Sequence, residues 1–500
     1  MRKLQIVTGT VFISLFFLVC TFPPVDPLAL DVFEGAPRIN DPTVVGNYPR
    51  SPFLFPVPTS GQRPLTWTAQ GLPAGLALDA ASGIISGSVN TPGRYPVAIT
   101  ATNSLGEATR TLTIEIGDQL ALTPPMGWNS WNTFGQELSE ELLLQTADSM
   151  ISLGLRDLGY RYVNIDDYWQ LGERGEDGHL QVNQEKFPNG IRYVADYLHE
   201  RGLQLGIYSD AAELTCGDVA GSYGYEATDA QDFADWGVDL LKYDYCHAPD
   251  DQATAIERYT TMGKALRATG RSFIYSVCEW GLRDPWTWAD SVGGHYWRTT
   301  WDIRDKWYSE NYNNLENGLL NALDINAPLA KYAGPGGWND PDMLVVGLKG
   351  ESHSINHDSV ESNYGLNAEQ YRSHMSMWCM LAAPLLLGND VRTMDDETKE
   401  TLMNPEIISI NQDRLGQQAR RVMDTGNYEV WTKPLTEDRV AVACLNTGSE
   451  EQTVTLDLTA LTLPASATVR DVWTHQDLGE VEGELVTTLA PYATHVFVLQ

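Results

Sequence analysis

The chain has 500 residues, enough for two to four domains, and its 43% hydrophobic and 20% charged content is that of a globular protein with an ample core. A formal net charge of -33 argues against nucleic acid or an anionic membrane surface as partner and fits a soluble acidic surface. The six cysteines show no CxxC and no Cys/His spacing of a zinc site, so no metal is expected.

The chain opens on Met1-Arg2-Lys3 and an apolar run to Phe22, the pattern of a secretory signal. No A-x-A cleavage site stands out, and Val19 before Cys20 is a poor lipoprotein signal. Residues 1–22 therefore read as a signal peptide or an anchor, and the protein as exported: periplasmic, extracellular or held at the cell surface through this segment. Without Cys20 an odd number of cysteines remains, so at least one thiol should be free. Export permits a disulfide, and Cys216–Cys246 is the candidate; by loop entropy it would contribute roughly 3–4 kcal/mol.

Residues 31–118 are poor in charge and rich in Gly, Pro and Thr, with short β-like runs at 65–68, 83–87, 95–101 and 108–116 separated by turns. That is the pattern of a small antiparallel sandwich. The stretch Gly71-Leu72-Pro73-Ala74-Gly75-Leu76 to Gly87, followed by Asn103-Ser104-Leu105-Gly106, resembles the immunoglobulin-like modules found ahead of bacterial glycosidases. Such a module binds sugar or spaces the next domain from a surface; the spacer reading is favoured.

From Leu122 to about residue 410, strand-like runs alternate with helical stretches. Strands are expected at 126–131, 162–165, 203–208, 239–243, 272–278 and 295–298, a weakly signalled seventh near Tyr332, and an eighth at 384–387. Helices are expected at 140–153, 190–201, 227–236 and 253–268. Repeated β–α units over this length predict a (β/α)8 TIM barrel, a fold of about 250 residues whose site lies at the carboxyl ends of the strands. Residues 411–500 alternate in period two and predict a C-terminal antiparallel β domain with no cluster of catalytic residue types.

In Leu240-Leu241-Lys242-Tyr243-Asp244, Lys242 and Asp244 sit two apart and point to one side of a strand. Asp244 is the candidate nucleophile; a structural ion pair at a strand end fits the same residues equally well. Asp302 is the candidate second carboxyl, the pair cleaving a glycosidic bond by attack and proton transfer. Trp301 beside it is expected to desolvate Asp302 and raise its pKa, as a general acid requires. Taken alone, Asp302 also reads as a surface or capping residue.

Leu122-Thr123-Pro124-Pro125-Met126-Gly127-Trp128-Asn129-Ser130-Trp131, Asn164-Ile165-Asp166-Asp167, Leu241-Lys242-Tyr243-Asp244, Cys278-Glu279-Trp280-Gly281 and Gly336-Gly337-Trp338-Asn339-Asp340-Pro341-Asp342-Met343-Leu344 together resemble the α-galactosidases of glycoside hydrolase family 27. The likeness runs from Leu122 to the C-terminus. It implies a barrel with a C-terminal antiparallel sandwich and a retaining double displacement on α-galactosides without metal or other cofactor. By position it implies Asp244 as nucleophile and Asp302 as acid/base. Asp166 and Asp167 would grip the 4- and 6-hydroxyls, and Lys242 and Arg298 would donate to ring hydroxyls. Trp131, Tyr208, Cys278, Trp280, Asp342 and Met343 would line the pocket, and Cys216–Cys246 would staple its rim. Glu279 would favour a free 2-hydroxyl, against α-N-acetylgalactosaminidase, and Asp166 would disfavour the β-L-arabinopyranosidase branch. Thr133-Phe134-Gly135 and Tyr168 stand where many eukaryotic members carry a further cysteine pair. A non-catalytic sugar-binding barrel is the rival from another class; it would be expected to lack one of the two carboxylates.

Overall fold

Eight short parallel strands organise the protein: β1 (Met126–Asn129), β2 (Tyr162–Asn164), β3 (Gln204–Asp210), β4 (Leu240–Asp244), β5 (Ile274–Val277), β6 (Tyr296–Arg298), β7 (Trp338–Asp340) and β8 (Leu385–Leu387). They form one sheet in the order β7-β6-β5-β4-β3-β2-β1-β8. The ring closes through Leu344, whose N–H donates to the Leu386 carbonyl at 2.8 Å and whose carbonyl accepts the Gly388 N–H at 2.9 Å. This computed structural model describes residues 33–310, 317–351, 365–461, 463 and 465–500; the expected leader at 1–22 lies outside the described residues.

The strands are buried almost throughout, because the barrel interior covers one face and helices the other. The helices follow from apolar spacing and caps. In α1 (Glu140–Ser152), Leu143, Ala147 and Met150 recur at helical spacing and are fully buried. Its N-cap Ser139 accepts the Leu142 N–H. Helices α2 (Ile191–Glu200), α3 (Glu226–Trp236) and α4 (Gln252–Ala268) complete the first half. Gly237 ends α3 at φ 86°, a left-handed conformation that glycine adopts without a Cβ clash. Helices α5 (Leu319–Asn326) and α6 (Ala368–Leu381) belong to the second half. Inside the barrel, a Cβ at Gly206 would stand 1.8 Å from Asn164 Oδ1, so only glycine lets these two strands pack.

The seventh strand is displaced from its expected place. Residues Ala327–Tyr332 form a 3-10 turn, and the strand begins only at Trp338. Gly334 and Gly337 form a tight turn between them. The strand's polar text disguised it: Asn339 is buried, taking the Trp297 indole N–H and donating to the Leu329 carbonyl and Gln418.

Ahead of the barrel, a four-stranded sheet (Val44–Asn47, Thr66–Gln70, Gly93–Asn103, Gly106–Ile116) packs on a three-stranded one (Phe53–Pro56, Leu76–Leu78, Ile84–Gly87) around Trp67, Ile85, Val97, Ile99 and Ile114. This sandwich docks on the amino ends of the barrel strands. The Tyr48 N–H donates to Ser272 Oγ at 2.9 Å, the Ser272 N–H to Ser51 Oγ at 2.8 Å, and Asn40 to the Asp157 carbonyl at 2.9 Å. Arg63 pairs with Asp157, and Arg161 lies over the Phe55 ring. The C-terminal part forms a six-stranded antiparallel sheet and a two-stranded one. Several of its apolar residues, among them Trp431 and Ala443, merge with the barrel core, whereas the N-terminal sandwich keeps its own. Lys433 donates to the Cys379 carbonyl of α6 at 2.9 Å, and Trp473 to Ser376 at 2.9 Å.

Candidate active site

The polar residues gather at the carboxyl ends of the strands, as expected for a barrel. At the end of β4, alternation sends Tyr243 outward onto Tyr259, with ring centroids 5.7 Å apart, and turns Lys242 and Asp244 to the interior. Lys242 does not bond Asp244. Its Nζ donates to Asp166 Oδ2 at 2.8 Å, and the ammonium stands 5.1 Å from the centre of the buried Tyr208 ring. Asp166 Oδ2 also accepts from Asn129 Nδ2 at 2.8 Å, and its Oδ1 accepts the Asp167 N–H at 3.0 Å.

Asp167 is occupied by the protein. It accepts from Thr215 Oγ1 at 2.9 Å and from the N–H groups of Tyr168 and Gly217, both at 2.8 Å. It thereby ties β2 to the loop carrying Cys216. Burial pushes its carboxyl up to about 6 against those hydrogen bonds. Cys216 and Cys246 form a disulfide, while Cys278, Cys379 and Cys444 are buried free thiols. Trp131 stacks on Tyr168 at 6.3 Å, and Met343, nearly buried, packs in the same apolar cluster as Trp131.

Arg298, at the end of β6, holds the other side. Its Nη2 donates to Asp302 Oδ1 at 2.9 Å and to the Thr300 carbonyl at 3.1 Å, and lies 3.1 Å from Asp342 Oδ2. Nη1 faces Cys278 Sγ at 3.7 Å. Asp342 in turn takes the Ile303 N–H at 2.7 Å. Asp244 and Asp302 interact electrostatically. Burial pushes Asp244 up to about 6; Lys242 opposes this, and Asp302 and Asp166 add to it. For Asp302, desolvation favours the neutral form, but Arg298, Arg304 and Lys242 outweigh it and hold the carboxyl below its usual range.

Two expectations therefore change. Trp301 does not raise Asp302's pKa: its ring stacks on Trp280 at 5.5 Å, and the Arg298 pair sets the carboxyl. The Asp302 side chain keeps 39% of its surface exposed. Glu279 stands apart from the catalytic group. It is fully buried, bonded to Arg283 Nη1 at 3.0 Å, and burial pushes it up to about 7. Alternation explains this: Cys278 is the neighbour that senses Asp244, Arg298, Lys242 and Asp302, and Glu279 points the other way.

Asp210 was not singled out from sequence. It ends β3 directly opposite Asp244 in the sheet register and accepts the Cys246 N–H at 2.9 Å. Burial and the Asp244 charge hold it well above the usual carboxylate range. Its signal was available, since Tyr208-Ser209-Asp210 ends β3 as Lys242-Tyr243-Asp244 ends β4. Asp210, Asp244, Cys216 and Cys246 cluster tightly, but both sulfurs are bonded to each other and offer no thiolate to a metal.

Residues 123–413 match the family model for α-galactosidase A, residues 425–499 the model for the α-galactosidase C-terminal β-sandwich domain, and residues 36–117 a model of Ig domains. An α-galactosidase from Cyamopsis tetragonoloba is 45% identical over 383 residues, 76% of this chain and 87% of its own. A Bacteroides fragilis structure superposes with a TM-score of 0.90 at 58% identity, covering 94% of this chain and 99% of that one. The structure of α-galactosidase I from Mortierella vinacea gives a TM-score of 0.71 at 35% identity, covering 77% and 98%. The chain therefore belongs to the α-galactosidases of glycoside hydrolase family 27, with an immunoglobulin-like domain ahead of the barrel.

Proposed function

We propose that the protein is an exo-acting α-galactosidase that hydrolyses terminal α-linked galactose from oligo- or polysaccharides with retention. The observation that carries this reading is the placement of Asp244 at the end of β4, on the same face as Lys242 and within electrostatic reach of Asp302, which Arg298 holds after β6. A retaining hydrolysis needs two carboxyls flanking the scissile bond, one ionised to attack and one protonated to donate. Asp244 attacks the anomeric carbon and forms a glycosyl ester as the bond to the leaving oxygen breaks. Asp302, held low by Arg298 in the open site, takes up a proton as the bound sugar desolvates it, donates that proton to the leaving oxygen, then takes one from the water that cleaves the ester.

Asp166 presents an oxygen already oriented by Lys242 and Asn129 to the galactose 4- and 6-hydroxyls. A sugar that fails to meet it leaves a buried charged pair short of a partner, which is how such a site discriminates. Asp167 serves chiefly by holding the Cys216 loop. Arg298 and Cys278 stand together on the Asp302 side of the site, Arg298 offering donors to the sugar's ring hydroxyls. Residues 1–22 would export the chain, a reading the Cys216–Cys246 disulfide supports because such bonds persist in oxidising compartments.

The test is Asp244→Asn. Turnover of aryl α-galactosides should fall by about four orders of magnitude, in line with loss of a nucleophile, while galactose still binds. The wild-type enzyme should release the α-anomer of galactose first, as followed by NMR. Full activity in the variant, or β-galactose as the first product, would overturn the assignment.

A further inference from the structure

The loops after β5 and β6 carry an aromatic pair, Trp280 of the expected pocket lining and Trp301, whose second ring the pocket described so far does not use. Trp280 and Trp301 stack with centroids 5.5 Å apart and planes 22° from parallel. Both rings are partly exposed. Among the described residues no group takes either indole N–H. A partly exposed indole without a hydrogen-bond partner is available to a ligand that offers both an apolar face and an acceptor.

The pair is held in place. Trp280 adopts φ 59°, in the left-handed region that a bulky residue rarely enters. Gly281 follows at φ 76°, and a Cβ there would stand 2.2 Å from the Thr299 carbonyl oxygen. The two loops thus touch backbone to backbone at this point. On the other side, the buried Asn317 donates to the Trp301 carbonyl at 3.2 Å.

Position supplies the ligand. Trp301 is the residue before Asp302, and under the proposed function Asp302 protonates the leaving oxygen. The ring carrying that oxygen must then lie within hydrogen-bond reach of residue 302. It is not the galactose, which lies on the Asp166 and Lys242 side. We propose that the Trp280–Trp301 stack is the binding platform for the leaving sugar, an uncharged hexopyranose whose C–H face lies on the indoles and whose hydroxyls accept the free N–H groups. This rests on the α-galactosidase reading and extends it: the enzyme selects for what is removed from galactose as well as for galactose itself.

The experiment compares two substrates that deliver the same galactosyl group. Melibiose, an α-1,6-linked galactosyl glucose, has a leaving ring; α-galactosyl fluoride has none. In Trp301→Ala the ratio of kcat/KM for melibiose to that for the fluoride should fall about tenfold, the size of one stacking contact. Trp301→Leu, which keeps apolar bulk but no flat ring, should lower the ratio similarly, and Trp301→Phe should recover most of it. Melibiose KM should carry most of the change. An unaltered ratio, with both substrates slowed together or neither slowed, would overturn the platform and leave the α-galactosidase reading standing. A wild-type protein inert towards the fluoride as well as melibiose would overturn both.

Discussion

The buried pair of Lys242 and Asp166 makes a quantitative prediction. The ion pair is 2.8 Å long, and the side chains keep only 14% and 2% of their surface exposed. Replacing Lys242 with Met keeps the length of the side chain and removes its charge. Asp166 would then stay buried with Asn129 and the Asp167 N–H as its remaining donors. Breaking such a pair from one side costs about 3–5 kcal/mol, because the remaining charge has lost its counter-ion. For a barrel of this size that corresponds to a fall in melting temperature on the order of 5–10 °C. Removing both charges should cost much less than the sum of the single changes, since Lys242→Met with Asp166→Asn leaves neither ion stranded. The assay is the barrel unfolding transition of the wild type, both single variants and the double variant, followed by circular dichroism and calorimetry at one pH. All three variants should lose activity. Single-variant losses that add to within about 0.5 kcal/mol in the double would show the two groups to be independent and refute the reasoning.

Two further predictions concern protons. Asp244 attacks only as the carboxylate, and burial pushes it up to about 6. Below that value the nucleophile is protonated, so kcat/KM should fall on an acid limb near pH 6; a profile flat from pH 5 to 8 would contradict this. Glu279, pushed up from 4.5 to about 7 by burial, binds a proton in the folded state that the unfolded chain has already lost. Its contribution is therefore full below about 4.5 and is lost as pH rises through 7, by about 3 kcal/mol at most. Glu279→Gln should flatten that part of the melting-temperature profile between pH 5 and 7.5; an unchanged slope would exclude Glu279 as its source.

Much of this arrangement is legible in the sequence because strand alternation and helical spacing are local. Lys242 and Asp244 fall on one side of β4 for that reason, and the apolar runs of β1 to β6 stand out. Three features escaped local reasoning for physical causes. The strand at Trp338–Asp340 is polar because Asn339 is paired across the core with Gln418, a partner distant in the chain. The motif points Glu279 at the sugar, whereas alternation aims Cys278 at the catalytic group and Glu279 at Arg283. The depressed Asp302 carboxyl depends on the reach of Arg298, and the freedom of Trp301 to stack depends on Trp280; both are properties of two loops brought together by the barrel. The face on which the N-terminal sandwich docks is likewise set by contacts such as Tyr48 with Ser272, which no periodicity announces.

Because that sandwich sits under the barrel floor, with Phe33 packed against Gly154, the chain enters the fold from behind the mouth. A leader retained as a tether would thus leave the mouth facing open water, where the tip of a branched polymer too wide for any narrow cleft could reach it. By the same geometry the sandwich is out of line with a glycan seated in the mouth, and removing it should be felt as heat lability long before it is felt as a change in which galactosides are cut.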